Sequence, residues 1–211
     1  MLEFPGGLYA ITFETADTEK LLAQVEAALT GGIAAVQYRD KSGDVARRHE
    51  QASELVALCR RYKVPLIVNE DLRLADLCDA DGVHLGRDDA SLREARIILG
   101  KSKFIGASCY QSLEIALAAQ AACADYVAFG SFFASPTKPA AARADVTLLH
   151  EAARMLRVPI VAIGGITLTN APPLLDAGAD SLAVLSALFD APDIRAAARD
   201  LNRLFETEPE E

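Results

Sequence analysis

Tryptophan is absent from this chain of 211 residues, and no uninterrupted apolar run reaches the roughly 18 residues of a membrane span. No membrane partner is expected. Met1 to Gly7 contains Glu3 and Pro5 and lacks a basic segment followed by an apolar one, so no secretory signal is read there. The cysteines Cys59, Cys78, Cys109 and Cys123 form no CxxC pair. Cys59, Cys78 and Cys123 have apolar neighbours and read as buried small hydrophobes in a reducing compartment, which points to the cytoplasm. Cys109 has no histidine at a readable partner position, which argues against a thiol nucleophile. Positive charge is scarce: 21 Lys and Arg face 30 Asp and Glu, for a net charge of −9. A nucleic-acid partner would require a basic face, and none is expected. In so acidic a chain, cations that handle an anion must be placed locally.

The chain is rich in one repeated pattern. Hydrophobic residues make up 51% of it, enough for one sizeable core. Eight short apolar runs start near Leu8, Ile33, Pro65, Asp81, Phe104, Tyr126, Pro159 and Ser181. Segments with helical spacing lie between them, including Val45 to Tyr62, Leu72 to Leu77, Leu92 to Leu99, Leu113 to Ala122, Val146 to Leu156, Ala171 to Ala177 and Ile194 to Leu204. Three runs are introduced by one kind of turn: Asp79-Ala80-Asp81, Cys123-Ala124-Asp125 and Gly178-Ala179-Asp180. Nearly continuous apolar strands mean burial on both faces, as in a parallel sheet. Eight strand-helix units predict an α/β fold of the (β/α)8 TIM barrel type, a single domain over residues 1–211 with a frayed acidic tail from 206 to 211. A doubly wound open sheet is the alternative. In a barrel, ligands bind at the carboxyl ends of the strands.

Those ends collect polar groups. After Val36 the second run turns polar as Gln37-Tyr38-Arg39-Asp40-Lys41. Strand alternation puts Gln37, Arg39 and Lys41 on one face, and Tyr38 and Asp40 on the other, supporting them. An amide with two cations is a clamp for a phosphate or diphosphate; alone, it also fits a surface Arg and Lys leaving an edge strand. The third run ends in Asn69-Glu70-Asp71 and the fourth in His84-Leu85-Gly86, followed by Arg87-Asp88-Asp89. Carboxylates opposite cations fit Mg²⁺ with a diphosphate. Asp71 and Asp88 each precede a helical pattern and also fit N-caps, the reading adopted for Asp71. Glu70 and Asp89 are the better metal ligands. His84 alternates with apolar neighbours and reads as a hydrogen-bonded barrel-interior histidine. Gly164-Gly165 ends the seventh run and Leu185-Ser186 the eighth. The glycines fit either a phosphate site or a tight turn. Two phosphate-binding features suggest two phosphorylated substrates.

Val36 to Lys41 (VQYRDK), Ile67 to Glu70, Asp81 to Gly86 (DGVHLG) with Asp89, Gly106 to Ser108, Asp125 to Gly130 with Pro136-Thr137-Lys138, and Val161 to Ile166 (VAIGGI) together resemble the thiamine-phosphate synthase family, in order, from about Leu8 to Phe189. The resemblance implies a cytoplasmic transferase of thiamine biosynthesis. It would condense 4-amino-5-hydroxymethyl-2-methylpyrimidine diphosphate with a thiazole phosphate, using Mg²⁺. By motif match Gln37, Arg39, Lys41 and Asn69 would hold the pyrimidine diphosphate, within a substrate-binding segment that includes Tyr38 and Asp40. Glu70 and Asp89 would bind Mg²⁺. Ser108 would hydrogen-bond the diphosphate or the pyrimidine. Ser135, Pro136, Thr137 and Lys138 would form a loop closing over the substrates, and Gly165, Leu185 and Ser186 would receive the thiazole phosphate. Arg39, Lys41, Lys138 and Ser108 would carry the catalysis. Three departures stand out: Glu70 where the family usually has Asp, Ser135 where Thr is usual, and Ser131 where Pro is common. A thiazole tautomerase of the same fold would carry a histidine where Tyr110 stands; a catalytically silent binding protein of the pathway is the other alternative. The sequence leaves the oligomeric state open, a homo-oligomer among the options.

Overall fold

The eight apolar runs are eight parallel strands, and they close on themselves. In the computed structural model, which describes residues 3–134 and 142–206, β1 (Gly7–Ile11) pairs with both β2 (Ala35–Tyr38) and β8 (Ser181–Val184). β3 (Leu66–Asn69), β4 (Gly82–Leu85), β5 (Phe104–Tyr110), β6 (Tyr126–Gly130) and β7 (Ile160–Ile163) complete the barrel in sequence order. The helices are α1 (Thr18–Thr30), α2 (Val45–Tyr62), α3 (Leu72–Leu77), α4 (Leu92–Leu99), α5 (Leu113–Ala121), α6 (Thr147–Met155), α7 (Pro172–Asp176), α8 (Ser186–Phe189) and α9 (Ile194–Asn202). The closed barrel excludes the doubly wound alternative. Among the described residues, no helix is long and apolar enough to cross a membrane.

The repeated turn has a physical cause. Asp79, Cys123 and Gly178 each take a positive φ just after a helix, at 54°, 68° and 100°. The next residue, Ala80, Ala124 or Ala179, then returns its N–H to a helix carbonyl (Ala75, Ala119 and Leu174). The third residue, always Asp, accepts an N–H from the first or second residue of the neighbouring strand: Asp81 from Leu66, Asp125 from Ile105 and Asp180 from Ile160, at 2.9, 2.7 and 2.7 Å. Each turn thus ends one helix and fixes the register of β3 with β4, β5 with β6, or β7 with β8. All three lie at the amino ends of the strands, the face that carries stability in such barrels.

Alternation along the strands makes two cores. Leu8, Ala10, Val36, Tyr38, Leu66 and Val68 face outward into the layer beneath the helices. Tyr9, Ile11, Ala35 and Ile67 face inward with Phe104, Tyr126, Ala128, Val161 and Ala183. Burying a leucine such as Leu66 stabilises the fold by about 2 kcal/mol. Phe4 closes the amino end of the barrel, stacked on Tyr126 with ring centroids 3.9 Å apart.

Some local expectations are corrected. Cys123 is exposed rather than buried, because its left-handed turn position carries the side chain off the helix face. Asp71 does cap α3, accepting from the Leu74 N–H at 2.9 Å. Asp88 caps nothing: the N-cap of α4 is Ser91. The short α8, beginning at Ser186, is an element that the sequence reading omits.

Candidate active site

The carboxyl ends of the strands surround a cavity of about 740 Å³. Gln37 enters it from β2 and Arg39 from just past its end, continuing the alternation, together with Asn69 from β3, His84 from β4 and Ser108 from β5. Gly164 and Gly165 line it after β7, and Leu185 and Ser186 after β8. The volume suits a small organic substrate.

The exit of β2 is stitched to that of β1. The Arg39 N–H donates to Thr12 Oγ1 at 3.0 Å, and the Lys41 N–H to Glu14 at 3.1 Å. The guanidinium of Arg39 has no hydrogen-bond or ion-pair partner among the described residues. It is a local cation facing the cavity of an acidic protein, which suits an anionic ligand. Lys41 lies beyond the end of β2 and is not among the cavity-lining residues. Its ammonium lies 2.9 Å from Glu70 Oε2, which also accepts from Asn69 Nδ2 at 3.0 Å.

Tyr38 and Asp40 point away from the cavity. The Tyr38 hydroxyl donates to Gln51 Oε1 on α2 at 2.9 Å. Asp40 is buried, accepts from the Ser42 N–H at 2.7 Å and lies 3.6 Å from Arg47. Both therefore seat α2 against the back of β2. Asp89 accepts from the Gly86 N–H at 2.6 Å and faces a second hollow of about 600 Å³, which Ser108 and Tyr110 share with the main cavity. Ser135, Pro136, Thr137 and Lys138 lie outside the described residues.

His84 is the barrel-interior histidine expected from alternation, with Nδ1 3.0 Å from the Tyr126 hydroxyl and Nε2 2.8 Å from Ser108 Oγ. Tyr9 and Tyr126 are fully buried, and burial pushes both phenols well above their usual range. They stay protonated. The sequence reading gave neither tyrosine a part, although the alternation of Leu8-Tyr9-Ala10 already turns Tyr9 inward. Gln111, also missed, donates through Nε2 to the carbonyls of Gly130 and Ala142 at 2.6 and 3.0 Å.

Gly164 and Gly165 have φ values of 107° and 61°. A side chain at Gly164 would strike Ser131, and one at Gly165 would strike the backbone of Ala134. The pair is therefore both a left-handed turn and a close approach to the loop after β6. Asn170 holds the turn, donating through Nδ2 to the Gly165 carbonyl at 3.0 Å.

Known proteins share this architecture and sequence. The thiamine-phosphate synthase of Thiobacillus denitrificans is 77% identical over 211 residues, all of both chains. That of Methylobacillus flagellatus is 53% identical over 199 residues, 94% of this chain and 95% of the relative. The solved structure of a thiamine phosphate pyrophosphorylase from Pyrococcus furiosus superposes with a TM-score of 0.84 at 35% identity, covering 94% of each chain. The family model described as thiamine monophosphate synthase matches residues 8–188, a span running from β1 into α8 and taking in every strand end described above, so the chain belongs to the thiamine monophosphate synthase family.

Proposed function

We propose that this chain joins 4-amino-5-hydroxymethyl-2-methylpyrimidine diphosphate to a thiazole phosphate, giving thiamine monophosphate and diphosphate. The observation that carries the reading is one cavity lined by Gln37, Arg39, Asn69 and Ser108 on one side and by Gly165 and Ser186 on the other, in a chain 77% identical to a thiamine-phosphate synthase. Loops after strands seven and eight are a recurrent phosphate site of such barrels, which supports assigning Gly165, Leu185 and Ser186 to the thiazole phosphate.

In the reaction, the bond between the pyrimidine methylene carbon and the diphosphate oxygen breaks, and its electron pair leaves with the diphosphate. The aminopyrimidine ring spreads the positive charge left on the methylene. The thiazole nitrogen lone pair then forms the new carbon–nitrogen bond. Gln37 and Asn69 would orient the pyrimidine diphosphate, and Ser108 would donate a hydrogen bond to it. Arg39 and Lys41 would stabilise the charge that gathers on the departing oxygen. Lys138 and its neighbours Ser135, Pro136 and Thr137 enter on the motif match alone. Tyr38 and Asp40 would act from behind, by holding the strand that presents Arg39.

Glu70 and Asp89 would hold Mg²⁺. Both are hard oxygen donors, one following β3 and the other following β4. That donor set fits a cation that takes one or two carboxylates and completes its shell with water and phosphate oxygens. When bound, the ion supplies positive charge beside the leaving diphosphate. A cytoplasmic site of action is part of the same proposal. The test is incubation with both phosphorylated substrates and Mg²⁺, read by the appearance of thiamine monophosphate. Absence of product overturns the proposal.

A further inference from the structure

Five side chains from five strands form one unbroken hydrogen-bonded line through the barrel. Gln37 Nε2 lies 2.9 Å from the Tyr9 hydroxyl, which lies 2.9 Å from the Tyr126 hydroxyl. The Tyr126 hydroxyl lies 3.0 Å from His84 Nδ1, and His84 Nε2 lies 2.8 Å from Ser108 Oγ. Both ends of the line, Gln37 and Ser108, line the cavity, whereas Tyr126 does not.

With His84 neutral and each phenol and the imidazole spending its one proton within the line, the bonds run in one of two directions. In one, Gln37 donates to Tyr9, Tyr9 to Tyr126, Tyr126 to His84 Nδ1, and His84 Nε2–H to Ser108. Ser108 then has its own proton free to donate into the cavity, and Gln37 presents its carbonyl oxygen. In the other, every bond reverses and Ser108 donates back to His84. A residue at one end therefore cannot change its role without the whole line changing.

We propose that the line runs from Gln37 to Ser108, which makes Tyr9, Tyr126 and His84 positioning residues that fix the Ser108 hydroxyl as a donor to substrate. One observation and one chemical argument select this order. The Gln37 amide turns its nitrogen toward Tyr9. A diphosphate offers only acceptors, so Ser108 must donate to serve it; this second argument rests on the function proposed above. Burial strengthens the device. Tyr9 and Tyr126 are 1% and 0% exposed, so no bulk water competes for their bonds, and both remain protonated. Gly106 makes room for it, since a side chain there would strike the Tyr126 ring.

The tautomer of His84 is the direct readout. Protein labelled with isotopic nitrogen in histidine, with the His84 signal assigned by its loss in His84→Gln, should show the proton on Nε2 in two-bond nitrogen–proton spectra. Tyr126→Phe should weaken that preference. It should also lower kcat/KM for the pyrimidine diphosphate about tenfold, the worth of one hydrogen bond to a charged group. Combined with Ser108→Ala, the further loss from Tyr126→Phe should fall to about threefold or less, because Tyr126 acts mainly through Ser108 and the remainder passes through Tyr9 to Gln37. A proton on His84 Nδ1 overturns the proposal, as do losses from Tyr126→Phe and Ser108→Ala that simply multiply. The tautomer is read on the unmodified protein without turnover, so it decides the matter even if Tyr126→Phe fails to fold. Failure of the proposed reaction would appear separately, in the wild-type assay.

Discussion

Lys41 Nζ lies 2.9 Å from Glu70 Oε2, so the cation assigned to diphosphate and the carboxylate assigned to Mg²⁺ meet one another. With each as the other's counterion, the site carries no uncompensated charge there before substrate and metal arrive. Binding of a metal diphosphate would then exchange partners: the carboxylate to the cation, the ammonium to phosphate oxygens.

Replacing Lys41 with Ala should separate its two possible uses. The paired side chains are 51% and 34% exposed, and exposed ion pairs contribute only about 0–1 kcal/mol. In a domain of this size that corresponds to a Tm shift of no more than about 4 °C. Loss of a charge that stabilises the leaving group should instead lower kcat about 100-fold. Thermal unfolding and initial-rate assays read the two effects. A large fall in Tm would make Lys41 a structural residue.

Glu70→Asp tests the departure from the family pattern. Glu70 has a φ of 56°, in the left-handed region where Asp and Asn are several-fold enriched over other non-glycine residues. Asp keeps the carboxylate and suits the backbone better. Tm should stay level or rise, and activity with Mg²⁺ should be at least that of the parent. Complete inactivation would mean that the site is built around the longer side chain.

The barrel was legible because its cause is local. Continuous apolar runs, helical spacing between them and a turn repeated at three strand starts are all written in neighbouring residues. The exit of β2 was legible as far as alternation reached: Gln37 and Arg39 face the cavity, while Tyr38 and Asp40 face α2. The strand ends at Tyr38 and its alternation carries on only through Arg39 and Asp40, so it could not direct Lys41 toward Glu70. Nor could it find the Tyr9–Tyr126 bond, which joins residues 117 positions apart. Each tyrosine's inward face can be read, but their meeting depends on how the closed sheet is staggered. The exposure of Cys123 escaped for a different reason. Its apolar neighbours, Ala122 and Ala124, suggested burial, whereas its positive φ turns it outward.

Gly165→Ala should damage both fold and site. Its φ is 61°, and an added methyl group would strike the Ala134 carbonyl. Backbone strain of this kind costs on the order of 1–3 kcal/mol, and the close approach adds to it. Chemical denaturation should show a loss of about 2 kcal/mol or more. KM for the thiazole phosphate should rise more than KM for the pyrimidine diphosphate. An unchanged KM for the thiazole would remove Gly165 from the phosphate site and leave it a turn residue.

The thiols should divide by exposure. Cys59, Cys78 and Cys109 are buried and Cys123 is exposed. Burial, ahead of any other influence, pushes the Cys59 and Cys109 thiols up to about 12 and raises that of Cys78. Thiolate is the reactive form, so these three should resist a disulfide reagent at mildly alkaline pH. One equivalent should react promptly in the native protein and the remainder only after denaturation. Cys123 precedes β6 at the amino end of the barrel, whereas the cavity opens at the carboxyl ends. Labelling it should therefore leave kcat and both KM values unchanged. Activity lost in step with the first equivalent would mean that the two faces of the barrel communicate; a second fast equivalent would mean that the outer core opens in the native state.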